Sequence, residues 1–453
     1  MSDRRRARLT TGSIPRSITG LAGPMALGML AMMIFNLVDT WFVSRLGTAA
    51  LAAMSLTFPV VMVVGSIALG LGIGTTSVIS RAVGGGASQR VRRLTTDALL
   101  LGVAVVLIVS VAGWLTIDPL FRLLGADDVL LPLVRAYMVV WYPGAVFLVI
   151  PMLGNAAIRA TGDTRTPALI MAYAGLANVV LDPVLIFGVG PFPAMGIQGA
   201  AVATVLGRAT TLAGSLWVLG AREKLLARRF QGLATTLRSW KNIVAVGAPA
   251  AAANLAQPLT IGLLTAMVAA YGKAAVAAFG AAGRVEMLAL IPVRALASGM
   301  VPFVGQNWGA RNHGRVAGGL RVGLAGGVGT GLLDYAVLAA AAVPIGRLFS
   351  ADPAVVGYIA LYFWIMPAAH WAMGIIGLAN SALNAVGRSL SAAAVTLLRA
   401  PLLTWLFAVV GRRLAGVEGI FFGAVAASAV TGVVAWFVLA PLRLRGGGAR
   451  PTV

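Results

Sequence analysis

Two aspartates set in long apolar runs, Asp39 and Asp182, are the residues of this chain best placed to do chemistry. Asp39 lies near one end of PMALGMLAMMIFNLVDTWFVSR and Asp182 sits within LANVVLDPVLIF. A charged side chain at mid-bilayer costs roughly 2.5 to 3.5 kcal/mol, so an acid at that depth lines a polar path or titrates as part of a mechanism. The alternative is a carboxylate at a helix end, wetted at the headgroups. Asn178 precedes Asp182 by four residues and so shares its helix face. Asn155 and Thr204, on neighbouring apolar runs, can complete a set of oxygen ligands. Two carboxylates with neutral amide and hydroxyl oxygens suit a proton, or a hard cation such as Na+ at Asp39, Asn178 and Asp182. Like carboxylates held together at low dielectric do not both stay ionised cheaply, so the pair is expected to exchange a proton.

The elements that must carry these groups are membrane helices. Of 453 residues, 59% are hydrophobic and only 11% charged, against about 45 to 50% and about 25% in soluble domains. Runs of about 20 apolar residues satisfy their own backbone polar groups only as helices. Twelve are expected: 16–43, 53–80, 95–117, 129–154, 166–189 and 196–220, then 242–270, 279–304, 318–344, 355–379, 390–411 and 419–440. The net charge of +22 would suggest nucleic acid in a soluble protein. Here 24 of the 35 Lys and Arg, among them Arg4, Arg5, Arg6, Arg228, Arg445 and Arg450, fall on one side of the spans, so the positive-inside rule accounts for the charge. Both termini are then cytoplasmic, the protein is a multi-pass protein of the plasma (inner) membrane, and no nucleic-acid partner is implied. The start MSDRRRARLTTGSIPRS lacks a small-residue cleavage site after a short apolar core and reads as a cytoplasmic tail. No cysteine and only two histidines, His313 and His370, argue against a cofactor centre.

A shift of 225 residues superposes the first half of the chain on the second. It pairs Pro24 with Pro249, Gly47 with Gly272, Gly84 with Gly309, Arg90 with Arg315, Arg122 with Arg347, Asp127 with Asp352, Asn155 with Asn380 and Gly162 with Gly387. One register holds through five loops, which alanine-rich helices do not achieve by chance. Six spans per repeat make the repeats parallel, related by an axis along the membrane normal. The expected fold is therefore all-α and integral to the membrane, with two six-helix lobes around a central cavity. The boundaries are a tail at 1–15, an N-lobe at 16–220, a cytoplasmic linker at 221–241, a C-lobe at 242–440 and a tail at 441–453.

Chemistry is sought where the repeat fails. The same shift sets Asp39 against Leu264, Asn178 against Leu403 and Asp182 against Phe407, so the polar set belongs to the first repeat alone. Pro24, fifteen residues before Asp39, removes a helix hydrogen bond and favours a bend that protonation can alter. In the second repeat Glu286 is expected to pair with Arg284 or Arg294. His370 reads either as a proton or cation contact or as a histidine satisfied by a carbonyl. Arg208 and Arg399 snorkel or pair with carboxylates. Met25, Met29, Met32 and Phe35, with Tyr142 and Tyr173 and the two ionisable groups Glu286 and His370, offer surface to a lipophilic cation, although such stripes more often pack.

The combination of Pro24 with NLVDTWFVSRLG, SRAVGGG, NAAIRATGDTRTP, NVVLDPVLIFG and GIQGAAVAT resembles the multidrug and toxic compound extrusion (MATE) family, in its prokaryotic DinF-like branch. The resemblance implies a twelve-helix antiporter expelling amphiphilic, often cationic compounds in exchange for H+ or Na+, with no cofactor, acting in the lipid bilayer as a monomer. It places the branch's cation site on Asp39, Asn178 and Asp182, with Asn155 at the fourth-span asparagine, Thr204 nearby and Pro24 at the bend. Ala31 and Met32 replace polar residues that some relatives carry midway along span one. The alternatives are a lipid-linked saccharide flippase of the same superfamily, and an integral-membrane transferase, which would need a catalytic cluster outside the spans.

Overall fold

The computed structural model describes residues 7–227, 229 and 231–444; Arg4, Arg5, Arg6, Arg228, Arg445 and Arg450 lie outside the described residues. The helices are α1 (Ile14–Ser44), α2 (Thr48–Gly84), α3 (Ser88–Leu115), α4 (Ile117–Leu123), α5 (Leu130–Gly144), α6 (Val146–Ala160), α7 (Arg165–Phe187) and α8 (Gly196–Trp217). They continue as α9 (Leu233–Ala269), α10 (Lys273–Ala289), α11 (Ile291–Gly309), α12 (His313–Ala340), α13 (Ala342–Phe349), α14 (Pro353–Ile365), α15 (His370–Ala385), α16 (Ser389–Leu397), α17 (Thr404–Val438) and α18 (Ala440–Leu444). Ten stretches are long and apolar enough to cross a membrane, and α10 with α11 forms an eleventh, bent by 46°. The last of the ten, Ser389–Val438, runs through non-helical backbone at Ala415 and Gly416. Divided there it makes two spans, and the total among the described residues is the expected twelve.

The repeat is visible in the backbone. Gly47 and Gly272 end equivalent spans at φ +105° and +97°, and Gly162 and Gly387 do so at +94° and +86°. A side chain at such a φ is strained, so glycine recurs where the turn demands it. The third and ninth spans both break before a short helix, at Thr116 and at Ala341. The fourth and tenth break as well, at Ala145 and at the 3-10 turn Met366–Ala369.

Several helices begin earlier than hydropathy predicts. The ninth-span helix starts at His313, where Asn312 caps it by accepting a hydrogen bond from the Arg315 amide at 3.2 Å. The linker expected at 221–241 is helical from Leu233. Its polar residues are held by tertiary partners: Thr236 donates to Asp97 Oδ1 at 3.1 Å and Trp240 Nε1 donates to the Asp97 carbonyl at 2.8 Å.

Two compact units divide the chain. The N-terminal unit comprises Leu27–Val83 and Ala87–Ala251, and the C-terminal unit Met1–Ala26, Gly84–Gly86 and Ala252–Val453. Within the N-terminal unit the start of α9 lies against α2, where Gly70 and Gly74 face Gly247 and Ile243 with no room for a Cβ. Within the C-terminal unit Ile18 and Leu21 of α1 belong to a core with Met300, Phe303, Leu320 and Leu378. A second core there gathers Phe279, Tyr362, Phe363 and Phe421. Leu107, Ile108, Val111, Trp114 and Leu115 are exposed along α3, an apolar face suited to lipid.

Candidate cation site

Helix packing brings the polar residues of the N-terminal unit together. Helix α1 meets α7 at a seven-residue interval: a Cβ on Gly28 would stand 3.4 Å from Ala168, and one on Gly175 would stand 3.6 Å from the Phe35 Cβ. Further along the same pair, the Phe42 and Phe187 rings are 6.2 Å apart. Two helices in this register carry Asp39, one turn beyond Phe35, to the level of Asn178 and Asp182, one to two turns beyond Gly175. Helix α8 closes the other side of α7. A Cβ on Gly207 would come within 3.0 Å of the Asn178 Cβ, and Gly199 lies on the Leu185 carbonyl. Thr204 lies on α8 between those two contacts, at the level of Asp182.

All four are buried: Asp39 is 7% exposed, Asn178 1%, Asp182 0% and Thr204 5%. Asp39 Oδ1, both carboxylate oxygens of Asp182 and both amide atoms of Asn178 are buried without a hydrogen-bond partner in the protein. Buried polar atoms almost always have partners, and an unpaired carboxylate costs most of all. Two carboxylates with an amide make a set that could hold a proton or a hard cation, the species that neutralise carboxylates and bind amide oxygens. The Asp39 and Asp182 charges act on one another, and both act on Tyr137. Arg208, next to Gly207 on α8, acts on Asp39 and Tyr137.

Asn155 is not brought to this group. It is buried on α6, where Gly154 faces Ser215. Along α8 that level is eight residues past Gly207, about 12 Å at 1.5 Å per residue. The fourth span runs opposite to the fifth, so Asn155, near the end of its helix, lies toward the start of α7 and away from Asp182. Pro24 sits within α1, which continues unbroken through it.

The proposed contact surface divides. Met25, Met29 and Phe35 are half-buried on α1, while Met32 and Tyr173 are exposed. The Tyr142 ring instead packs on Gly113, and its carbonyl accepts a hydrogen bond from Ser110 Oγ at 2.6 Å. In the C-terminal unit the expected pairing of Glu286 is corrected. Neither Arg284 nor Arg294 reaches ion-pair distance among the described residues; Glu286 Oε1 lies 3.0 Å from His370 Nε2 and Oε2 accepts from Tyr362. His370 Nε2 thus has a side-chain partner, while its Nδ1 and Asp334 Oδ2, 3.7 Å apart, are at ion-pair distance and both buried without a hydrogen bond. The carbonyl reading of His370 fails because its ring nitrogens point across to α10 and α12.

Tyr137 and Asp334 were not singled out from the chain. Asp334 meets the criterion that found Asp39, a lone acid in an apolar run. Tyr137 had a signal in the repeat itself, since the 225-residue shift pairs it with Tyr362.

The MatE family profile matches residues 24–184 and again 249–410, one match per repeat. A FAD transporter of Shewanella oneidensis is 38% identical over 430 residues, covering 95% of each chain. A probable multidrug resistance protein NorM of Thermotoga maritima is 27% identical, covering 84% of this chain and 82% of that protein. The crystal structure of the Vibrio cholerae MATE transporter VcmN in the bent form superposes with a TM-score of 0.89 at 29% identity, covering 96% of this chain and 98% of that one. A Pyrococcus furiosus transporter of the MOP superfamily, reported with a binding pocket of reversed polarity, superposes at a TM-score of 0.88 with 25% identity, covering 97% of this chain and 98% of that one.

Proposed function

The chain belongs to the MatE family, a family of membrane transporters and not of enzymes, and from that premise we propose a secondary active exporter driven by inward movement of H+ or Na+. The observation that carries this reading is the group Asp39, Asn178 and Asp182, buried with carboxylate and amide atoms unpartnered. The cation binds there, and the substrate, a small amphiphilic and often cationic compound, competes with it as the protein alternates between faces of the plasma membrane. Moving a two-state equilibrium from 1:99 to 99:1 takes about 5.5 kcal/mol of differential binding, and one pKa unit is worth about 1.36 kcal/mol. One carboxylate in a wet site falls short of that. Two desolvated carboxylates sharing a cation reach it, so Asp39 and Asp182 act as a pair. Both termini are cytoplasmic in this scheme and the protein works as a monomer.

A second substrate reading rests on the relative named as a FAD transporter. FAD carries a diphosphate and a flat aromatic system, and guanidinium groups bind phosphate through paired donors. Arg294 and Arg399, whose charges act on one another within the C-terminal unit, are half-buried in membrane helices, an expensive placement that an anionic substrate explains. On this reading the same cation exchange drives export of a flavin dinucleotide.

One experiment tests both. Proteoliposomes are loaded with a fluorescent cation or with FAD, and a pH gradient and a Na+ gradient are imposed separately. Efflux that follows one gradient and stops in Asp39→Asn supports the coupling scheme; full gradient-driven efflux in that variant rules it out. The loaded compound that moves identifies the substrate class.

A further inference from the structure

The second repeat lacks counterparts of Asp39 and Asp182, yet it holds its own buried ionisable cluster. His370, fully buried at the start of α15, stands between two carboxylates. Its Nε2 is 3.0 Å from Glu286 Oε1 on α10, a hydrogen bond, and its Nδ1 is 3.7 Å from Asp334 Oδ2 on α12, an ion-pair distance at which neither atom has a hydrogen-bond partner. The other Glu286 oxygen accepts from the Tyr362 hydroxyl on α14. Aromatic rings enclose this side, with the Tyr362 ring 5.7 Å from Phe279 and 5.4 Å from Phe421. Close helix packing fixes the other side. Gly331, one turn before Asp334, lies against the His370 carbonyl and the Trp371 amide, and Gly327 lies against Gly374. The remaining charged groups that act on Glu286 are Arg294 on α11 and Arg399 in the π-helical turn Leu398–Leu403.

Proton bookkeeping decides what this arrangement is for. A neutral imidazole has one N–H. Donating it to Glu286 leaves the Nδ1 lone pair facing the Asp334 carboxylate, an unfavourable contact in a site shielded from water. Only the imidazolium donates toward both carboxylates. The two acids come from different helices and flank the ring on opposite edges, so the geometry is built around a proton that can arrive and leave. Among the described residues no group of three such side chains is arranged to hold a metal ion, and the 3.0 Å contact between His370 and Glu286 is a direct hydrogen bond.

We propose that His370, bridging Glu286 and Asp334, is a proton-binding site of the C-terminal repeat, separate from the carboxylate group of the N-terminal repeat. When the ring is loaded it ties α15 to α10 and α12. When it is unloaded the tie to α12 is lost and the carboxylate of Asp334 is left unpaired. The inference goes beyond the proposed export function and does not depend on which ion drives it.

The chain has only two histidines, which makes the test direct. In full-length protein carrying His313→Gln, in lipid nanodiscs, His370 is the sole imidazole, and its 15N resonances report the protonation state of each ring nitrogen. At pH 6 both nitrogens are expected to carry protons. In Glu286→Gln or Asp334→Asn the doubly protonated form is lost at the same pH, and either variant suffices if the other fails to fold. Asp39→Asn leaves the His370 resonances unchanged. A ring that stays singly protonated down to pH 5, or a doubly protonated ring indifferent to both carboxylates, overturns the proposal. A response to Asp39→Asn as large as that to Glu286→Gln overturns the claim of a separate site. Because no transport is measured, these results stand apart from success or failure of the export scheme.

Discussion

Tyr137 of α5 and Tyr362 of α14 occupy equivalent positions 225 residues apart and are both buried, Tyr362 donating to Glu286 and Tyr137 feeling the charges of Asp39 and Asp182. The tyrosine recurs in both repeats while the acids near it differ: Asp39 and Asp182 from the first and fifth spans act on one, and Glu286 from the eighth accepts from the other. A phenol hydroxyl is a donor that a buried carboxylate can use in its ionised form and an acceptor it can use when protonated. The shared element is the adaptable partner, and the acid was placed separately in each repeat.

Replacing each tyrosine by phenylalanine separates the two roles. Tyr362→Phe removes a donor from Glu286, and loss of a hydrogen bond to a buried charged group costs about 1.5 to 3 kcal/mol. It is expected to lower the thermal midpoint of the purified protein clearly. Tyr137→Phe is expected to alter gradient-driven efflux more than stability, since Tyr137 feels the charges of Asp39 and Asp182, the proposed coupling pair. Equal stability losses in the two variants would contradict this assignment.

Asp39→Asn removes a charge whose Oδ1 is buried and unpartnered. The folded protein loses no hydrogen bond to that atom and is spared the burial of a charge, so the melting temperature should hold or rise. Gradient-driven efflux should fall by about tenfold or more, because a desolvated carboxylate that no longer exchanges its cation cannot bias the equilibrium. A lowered melting temperature with efflux intact would make Asp39 a structural residue.

Gly207→Ala probes the packing that places Asn178. The new Cβ would sit 3.0 Å from the Asn178 Cβ and 3.3 Å from the Ala174 carbonyl, so α8 must move away from α7. Overpacking of this kind costs about 1 to 3 kcal/mol. Weakened cation-driven efflux is expected as well, whereas Gly262→Ala, which meets nothing within 4 Å, should be neutral on both counts. Similar behaviour of the two variants would show that the α7–α8 contact does not shape the site.

Arg315 anchors the start of the chain. Its guanidinium donates to the carbonyls of Leu9, Gly12 and Thr11 at 3.0, 2.7 and 2.7 Å, while Gln306 Oε1 accepts from the Leu9 amide at 3.2 Å. Arg315→Ala should raise amide exchange over residues 9–12 by about tenfold or more, from the loss of charge-assisted bonds worth about 1.5 to 3 kcal/mol. Lysine cannot bridge three carbonyls with one ammonium in the same geometry and should restore protection only in part. Unchanged exchange in Arg315→Ala would mean that the other contacts hold the segment alone.

Much of this protein was legible in its residues. Bilayer thickness sets the length of an apolar run, so the twelve helices and their even division could be counted directly. The 225-residue register identified the repeat and the residues that break it, and among these Asp39, Asn178 and Asp182 do lie together. The four-residue spacing of Asn178 and Asp182 required one helix face, and the α1–α7 contact supplied the third member. What the chain could not show were relations between helices distant in sequence. Asn155 looked equivalent to the others because its type was right, yet helix direction carries it about 12 Å from the level of Asn178. Glu286 had arginines near it in the chain, but its partners came from α14 and α15, because a side chain pairs with what packing places opposite it. The early start of α9 depended on Asp97, 139 residues away from Thr236. Apolar periodicity is a local property and can be read locally. The pairing of buried polar groups is settled only when tertiary packing removes water and leaves each group the neighbours it has.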